Sequence, residues 1–154
     1  NTRQKKLIAN IVSVVFFTIV MLVGFSNIKN LINRAESMRT MEMVGRAVLE
    51  YRREYGSLPN EAYVNQYIEK IGAVRLGGFN YRAAWIEYGS EPNSTILAYL
   101  EKKFRGFVES GYIVLWLNGK VEWMAKDKFE SILARQQSEY ELQWLKKHMQ
   151  KTLP

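Results

Sequence analysis

The stretch that decides the fold is residues 7–28, which read LIANIVSVVFFTIVMLVGFSNI. It contains no charged residue, and basic residues flank it on both sides: Arg3, Lys5 and Lys6 before it and Lys29 after it. As a helix these 22 residues extend roughly 33 Å, enough to cross a hydrocarbon core of about 30 Å. The run is also longer than the apolar core of a cleaved signal peptide. The sequence therefore predicts a helix that spans or inserts into a membrane.

The apolar residues continue beyond this run but narrow to a single stripe. They recur in steps of three and four at Ile28, Leu31, Ala35, Met38, Met41, Val44, Val48, Tyr51 and Tyr55. Such spacing is typical of one face of a helix. No proline or turn cluster interrupts residues 7–55, so we expect one long helix, its first half in a bilayer and its second half packed on a domain. Gly56 is expected to end it, and Asn60 to cap a short second helix that Gly72 closes.

After Gly77-Gly78 the pattern changes to short runs typical of β-strands, at residues 79–88, 95–100, 112–117 and 120–124. Asn118-Gly119 between the last two runs predicts a hairpin with a type I′ turn, in which both turn residues have positive φ. This register would place Trp116 and Trp123 near opposite positions across the hairpin. A final helix is predicted over residues 126–151.

This order of elements predicts an α+β chain: a transmembrane helix that continues into a long helix packed on a small antiparallel sheet, followed by a C-terminal helix. We divide the chain into a basic flank at residues 1–6, the transmembrane helix at 7–28, an α+β domain at 29–133 and a helical tail at 134–154. About 126 residues follow the transmembrane helix, which is enough for one domain and too few for two.

The net charge of +7 comes from the two ends of the chain. Residues 1–39 hold six basic residues against one acidic residue, residues 135–154 hold four against two, and residues 40–134 hold twelve of each. A nucleic-acid-binding domain should concentrate basic residues on its own surface. The distribution therefore disfavours nucleic acid as a partner and favours anionic lipid headgroups or an acidic protein.

Residue types that carry catalysis are scarce. The chain has no cysteine, which excludes disulfides, thiolate metal sites and cysteine nucleophiles. Its one histidine is His148 and its one aspartate is Asp127, and no nucleotide-binding glycine loop or HExxH motif is present. We therefore expect no catalytic site, no cofactor and no metal.

Two separated blocks of the sequence resemble a known family. Residues 33–59 (NRAESMRTMEMVGRAVLEYRREYGSLP) resemble the helix end of pseudopilin-like proteins. Residues 94–101 (STILAYLE) with 112–124 (YIVLWLNGKVEWM) resemble the strand and hairpin block of prepilin-type proteins with a His-X9-Asp-Gly signature, the type II secretion protein G-like group. The resemblance implies a pilin-like fold and a structural role in an envelope or membrane assembly.

The chain departs from that family at the processing site and at the signature residues. Residues 5–10 read KKLIAN, without the Gly and Glu at which a prepilin peptidase cuts. Asn118 replaces the signature Asp, Lys120 replaces the His that follows it, and Val108 stands where the other signature His would be. These departures favour an uncleaved anchor and leave no signature residue for metal or polar chemistry.

Two sets of residues are predicted to contact other proteins. In the transmembrane helix, small residues would let a partner helix approach closely: Ser13, Thr18, Gly24 and Ser26. In the tail, Tyr140 and Trp144 share one helical face while Leu145 and Met149 share another, which suggests two neighbours. Asn118 and Gly119 are predicted to be structural turn residues.

The leading hypothesis is a non-catalytic, single-pass, pseudopilin-like structural subunit of an envelope or membrane assembly. An alternative keeps this fold and makes the chain an accessory subunit, bound through its helix to a membrane enzyme complex. A pilin-type nucleic-acid receptor is a third reading, which the neutral charge of residues 40–134 disfavours. Expected partners are membrane lipid and other membrane subunits or copies of the chain. The expected location is a bacterial cell membrane, with the N-terminus cytoplasmic and the domain on the extracytoplasmic side.

Overall fold

The computed structural model describes residues 2–104 and 107–149. Within them the chain forms an α+β fold: two helices cover one face of a four-stranded antiparallel sheet, and a third helix covers the other face. The α+β architecture predicted from the sequence is confirmed.

The first helix, α1 (Thr2–Tyr55), is one continuous element, as the uninterrupted apolar pattern predicted. It is long and apolar enough, by length and composition, to cross a membrane, and its most apolar stretch is not buried in the domain. Further along, one face is buried at Ser37, Met41, Val44, Gly45 and Val48. Gly56 follows the helix with a φ of +74°, which confirms its predicted role as the C-terminal stop.

The second helix, α2 (Glu61–Lys70), packs beside the end of α1. Its first turn is capped by Asn60, whose side-chain oxygen accepts the backbone N–H of Tyr63 at 2.9 Å. Gly72, with a φ of +64°, follows the helix. Both predicted ends of this helix are confirmed. They could be predicted because each depends on a residue next to the helix.

The sheet contains β1 (Asn80–Tyr81), β2 (Ile96–Lys102), β3 (Gly111–Trp116) and β4 (Val121–Ala125) in that order, and all neighbours are antiparallel. The last three confirm predicted strands. The predicted strand over residues 79–88 is wrong beyond Tyr81, since Ala83–Trp85 form a 3-10 turn. Arg82 leaves the extended conformation there, with φ −110° and ψ 9°.

The hairpin between β3 and β4 is confirmed, but its predicted turn type is wrong. Among the described residues only glycines have positive φ, so Asn118 does not, while Gly119 has a φ of +87°. The loop contains three residues, because Gly119 N–H donates to the Trp116 carbonyl and Trp116 N–H donates to the Lys120 carbonyl, both at 2.9 Å. This is the pattern of a type I turn followed by a left-handed glycine.

The two hairpin tryptophans lie on opposite faces of the sheet, so the predicted Trp116–Trp123 pair is wrong. Trp123 is opposite Ile113 in the register and lies on the α1 side, where the Arg34 guanidinium sits 4.9 Å from its ring centroid. Trp116 packs with Phe129 on the other side.

The single C-terminal helix predicted over residues 126–151 is wrong, because the chain forms two helices there. They are α3 (Lys126–Ala134), which covers the second face of the sheet, and α4 (Glu139–Met149). Ser138 starts α4, and its hydroxyl oxygen accepts the backbone N–H of Glu141 at 3.2 Å. Residues 150–151 of the predicted helix lie outside the described residues.

Candidate functional site

A cleft of about 750 Å³ opens at the end of the domain where α1 finishes. Its walls are the end of α1 with the loop that follows it, residues 79–90, and the inner side of α4. Between Ile28 and Arg52, which lines the cleft, α1 rises about 36 Å. The cleft therefore lies at the end of the domain far from the apolar run at residues 7–28.

The floor of the cleft contains a buried ion pair between Arg82 and Glu141. These residues are 3% and 1% exposed, and the guanidinium donates to both carboxylate oxygens, from Nε at 2.8 Å and from Nη2 at 2.9 Å. A bidentate pair of this kind has the geometry of the strongest side-chain hydrogen bonds. Glu141 is also the contact between α4 and the interior of the domain. Among the α4 residues whose side chains are described, it is the one that is buried.

Gln136, in the turn between α3 and α4, accepts a further hydrogen bond from the Arg82 guanidinium. Arg82 Nη2 donates to the Gln136 carbonyl at 3.1 Å, and Nη1 donates to the Ile96 carbonyl at 3.0 Å. The Gln136 side chain accepts the Ile96 N–H at 2.8 Å and donates to the Ser94 carbonyl at 2.7 Å. The described residues leave no buried side-chain nitrogen or oxygen without a hydrogen-bond partner, so this polar floor is internally satisfied.

Aromatic side chains form the rim of the cleft. Trp85 and Trp144 meet edge to face with ring centroids 6.0 Å apart, and Trp144 remains 43% exposed. Tyr88 also lines the cleft and is fully exposed. Such amphipathic rings are the side chains that most often anchor protein interfaces. The rim is therefore suited to bind an apolar or aromatic segment of a partner protein.

Tyr81 joins the floor of the cleft to the loop after α1. Its hydroxyl donates to the Pro59 carbonyl at 3.0 Å, and burial raises the pKa of this hydroxyl well above its usual value. Burial also raises the pKa of Tyr99, which lines the same cleft, and the nearby Glu141 carboxylate adds to that increase. Both phenols are held in the neutral, hydrogen-donating form.

The charged groups in the floor of the cleft satisfy one another. The Arg82 and Glu141 charges compensate each other within the floor. Across the described residues, no group of three or more His, Asp or Glu side chains could hold a metal ion. What the cleft presents at its rim is aromatic surface.

The predicted helix-contact residues all lie on the exposed first half of α1, away from the cleft. Ser13 and Gly24 are eleven positions apart, about three turns, and so share one face, whereas Thr18 and Ser26 lie on other faces. The Thr18 hydroxyl donates to the Val14 carbonyl at 2.8 Å. A Cβ at Gly24 would meet no atom within 4 Å. A partner helix at these positions stays a prediction.

The predicted tail residues lie on both sides of α4. Trp144 and Leu145 line the cleft, while Tyr140 is exposed. The side chain of Met149, like that of His148, lies outside the described part of the structure. The predicted turn residues form the hairpin loop, where the Asn118 side-chain nitrogen donates to Asn93 Oδ1 at 2.8 Å.

Sequence reasoning missed Arg82, Gln136 and Glu141. A local signal for part of this site exists, because Ser138 and Glu141 have the spacing of a capping box and mark the start of a new helix. The pairing of Glu141 with Arg82, 59 positions earlier in the chain, has no local signal. Comparisons with protein families, curated proteins and solved structures found no match to this chain.

Proposed function

We propose that this chain is a single-pass membrane subunit that holds a non-catalytic, partner-binding domain close to the bilayer. The observation that carries the proposal is the change in environment along α1. Large apolar side chains between Leu7 and Ile28 are exposed, whereas Met41, Val44 and Val48 on the same helix are buried under the sheet. An exposed apolar surface of this length requires a cover, and a bilayer provides one that matches its length.

The domain contributes a recognition surface at the far end. The cleft at the end of α1 combines an aromatic rim, at Trp85, Tyr88 and Trp144, with a floor whose charges are already paired. A partner that inserts an apolar side chain there meets no uncompensated charge. This supports a role in assembly with other membrane or envelope subunits over a role in nucleic-acid binding.

Two assignments of that role follow from the resemblance of residues 33–59, and of residues 94–101 with 112–124, to pseudopilin-like proteins. In the first, the chain is a structural subunit of an envelope assembly with a pilin-like fold. In the second, it is an accessory subunit bound through its transmembrane helix to a membrane enzyme complex. The sequence of residues 5–10, which lacks the prepilin cleavage residues, favours the second, since an uncleaved basic flank would bring unpaired charges into a filament core. Both assignments place the N-terminus in the bacterial cytoplasm.

Membrane attachment is tested by washing cell membranes with alkaline carbonate. A spanning helix keeps the full chain in the pellet, whereas release into the supernatant would refute the anchor. Intact mass of the purified chain adds a second reading, because a mature chain that begins near Leu7 would restore a processed, polymerising pilin.

Partner binding is tested by native electrophoresis after extraction in mild detergent. Wild type should migrate in a complex, and Trp144→Ala should release it by removing one side of the cleft rim. Tyr63→Ala is the matched control, because Tyr63 is an exposed aromatic outside the cleft lining. Migration of wild type as a single chain would refute the assembly role.

A further inference from the structure

Phe107, in the connection between β2 and β3, lies beside the end of the apolar run of α1. The backbone N–H of Phe107 donates to the side-chain oxygen of Asn27 at 3.1 Å, a contact between residues 80 positions apart in the chain. This hydrogen bond fixes the position of Phe107 along α1. Phe107 is therefore at the opposite end of the domain from the aromatic cleft.

The Phe107 ring projects into solvent and is 86% exposed. The neighbouring aromatic of the same loop behaves differently, because Phe104 stacks against Trp123 with ring centroids 6.0 Å apart and is partly buried. Packing within the domain thus accounts for Phe104 but not for Phe107. A single exposed apolar side chain is ordinary on a protein surface, so what distinguishes Phe107 is its position beside the apolar run of α1.

The position of Asn27 indicates what covers that ring. A hydrocarbon core of about 30 Å corresponds to about 20 helical residues. Counted from Leu7, the first residue after Lys5-Lys6, the core ends near Asn27, and Lys29 follows in the headgroup region. Phe107 is therefore at the level where the hydrocarbon meets the headgroups. Trp and Tyr are enriched in this region, and Phe and Leu are among the side chains that interfacial segments bury at the boundary with the acyl chains.

We propose that Phe107 forms a second membrane contact, in which its ring inserts into the bilayer interface beside the transmembrane helix. This inference rests on the proposed function, since it requires residues 7–28 to span the bilayer. A single spanning helix leaves the helix and the domain, as one body, free to tilt in any direction relative to the bilayer. A second contact fixes the side that faces the lipid and keeps the aromatic cleft turned away from it.

The absence of cysteine from the chain allows single-site labelling to test this contact. The full chain is reconstituted in phosphatidylcholine vesicles with an environment-sensitive fluorophore at one introduced cysteine. Glu109→Cys reports the loop, Val12→Cys reports the anchor, and Tyr88→Cys reports the cleft end of the domain. Quenching is measured with lipids that carry a nitroxide either near the headgroup or near the end of the acyl chain.

We expect quenching of the label at residue 109 by the headgroup nitroxide, of that at residue 12 by the acyl-chain nitroxide, and of that at residue 88 by neither. Burial of a Phe side chain shifts an equilibrium about tenfold or more, so Phe107→Ser should remove most quenching at residue 109 and leave residue 12 unchanged. Near-UV circular dichroism of Phe107→Ser should match wild type, because the ring is exposed.

The outcomes separate this contact from the anchor. Quenching at residue 12 without quenching at residue 109, or quenching at 109 that survives Phe107→Ser, would overturn the loop contact and leave the anchor in place. Equal quenching at residues 109 and 88 would show a domain lying flat on the bilayer and would also overturn it. No quenching at residue 12 would refute the spanning helix, and the loop contact with it.

Discussion

Glu141→Ala would leave the Arg82 guanidinium buried without its anionic partner. Arg82 is 3% exposed and makes two hydrogen bonds to the Glu141 carboxylate. The Gln136 and Ile96 carbonyl oxygens would remain, but they carry no charge to compensate the cation. Breaking a buried pair by removing one partner costs about 3–5 kcal/mol. That loss is comparable to the total stability of a small domain, about 5–15 kcal/mol.

The assay is urea unfolding of the full chain in detergent micelles, followed by tryptophan fluorescence. Trp85 and Trp144 line the same cleft as the ion pair and report its loss. Glu130→Ala is the matched control, since Glu130 pairs with Lys126 at 3.7 Å on the surface of α3. An exposed pair of this kind contributes about 0–1 kcal/mol, so the control should unfold close to wild type.

A loss of stability in Glu141→Ala no greater than in Glu130→Ala would refute the argument that Arg82 depends on this carboxylate. The double variant Arg82→Met with Glu141→Leu provides a further check. Replacement of a buried pair by apolar residues is often close to neutral, so the double variant should recover much of the stability that the single variant loses. A double variant as unstable as Glu141→Ala would point to packing, and not to charge, as the cause.

Gly119→Val should destabilise the domain by about 1–3 kcal/mol in the same urea assay, because a β-branched residue is strained at a φ of +87°, while unchanged unfolding would refute the left-handed turn. Tyr81→Phe should reduce the loss of stability that wild type shows above about pH 10. The Tyr81 phenol has a raised pKa in the folded state, so it stabilises the fold below its ordinary pKa. This contribution is lost as the pH rises through the raised value. Gly24→Leu should weaken any complex on native gels yet stay in the carbonate pellet, since helix association depends on local packing and insertion on total apolarity; loss from the pellet would contradict this.

The elements that the sequence predicts correctly depend on neighbouring residues. The apolar run and stripe determine α1, Asn60 caps α2, and Asn118-Gly119 marks the hairpin. Each of these signals depends on local sequence and not on the rest of the fold. The same is true of the ends of α1 and α2, because Gly56 and Gly72 supply the left-handed conformation that ends a helix.

The wrong Trp116–Trp123 pair is a consequence of the wrong turn type in the predicted hairpin. A two-residue loop would put Val114 opposite Trp123 and so place Trp116 on the same face as Trp123. The three-residue loop puts Ile113 opposite Trp123 instead. A shift of one residue moves every side chain of a strand to the other face, so the error in turn type also produced the wrong aromatic pair.

The cleft was beyond sequence reasoning because its parts are distant in the chain. Arg82 and Glu141 are each unremarkable charged residues when read in place, and only the tertiary fold brings them together. The same contact explains two errors in the secondary structure. Arg82 leaves the extended conformation where the predicted strand stops, and Gln136 lies in the turn that divides the predicted C-terminal helix.

Because α1 is one unbroken helix, the membrane-spanning segment proposed at residues 7–28 would be rigidly joined to the domain. Between residues 29 and 55 it contains no proline, and its one glycine there, Gly45, is buried against Leu115 and so is not a hinge. Successive residues of a helix differ in direction by about 100°. If a neighbouring helix turned residues 7–28 about the helix axis by this angle, the cleft would turn about the membrane normal by the same angle. The packing of residues 7–28 against a neighbouring helix would therefore set the direction, in the plane of the membrane, in which the distant aromatic rim faces.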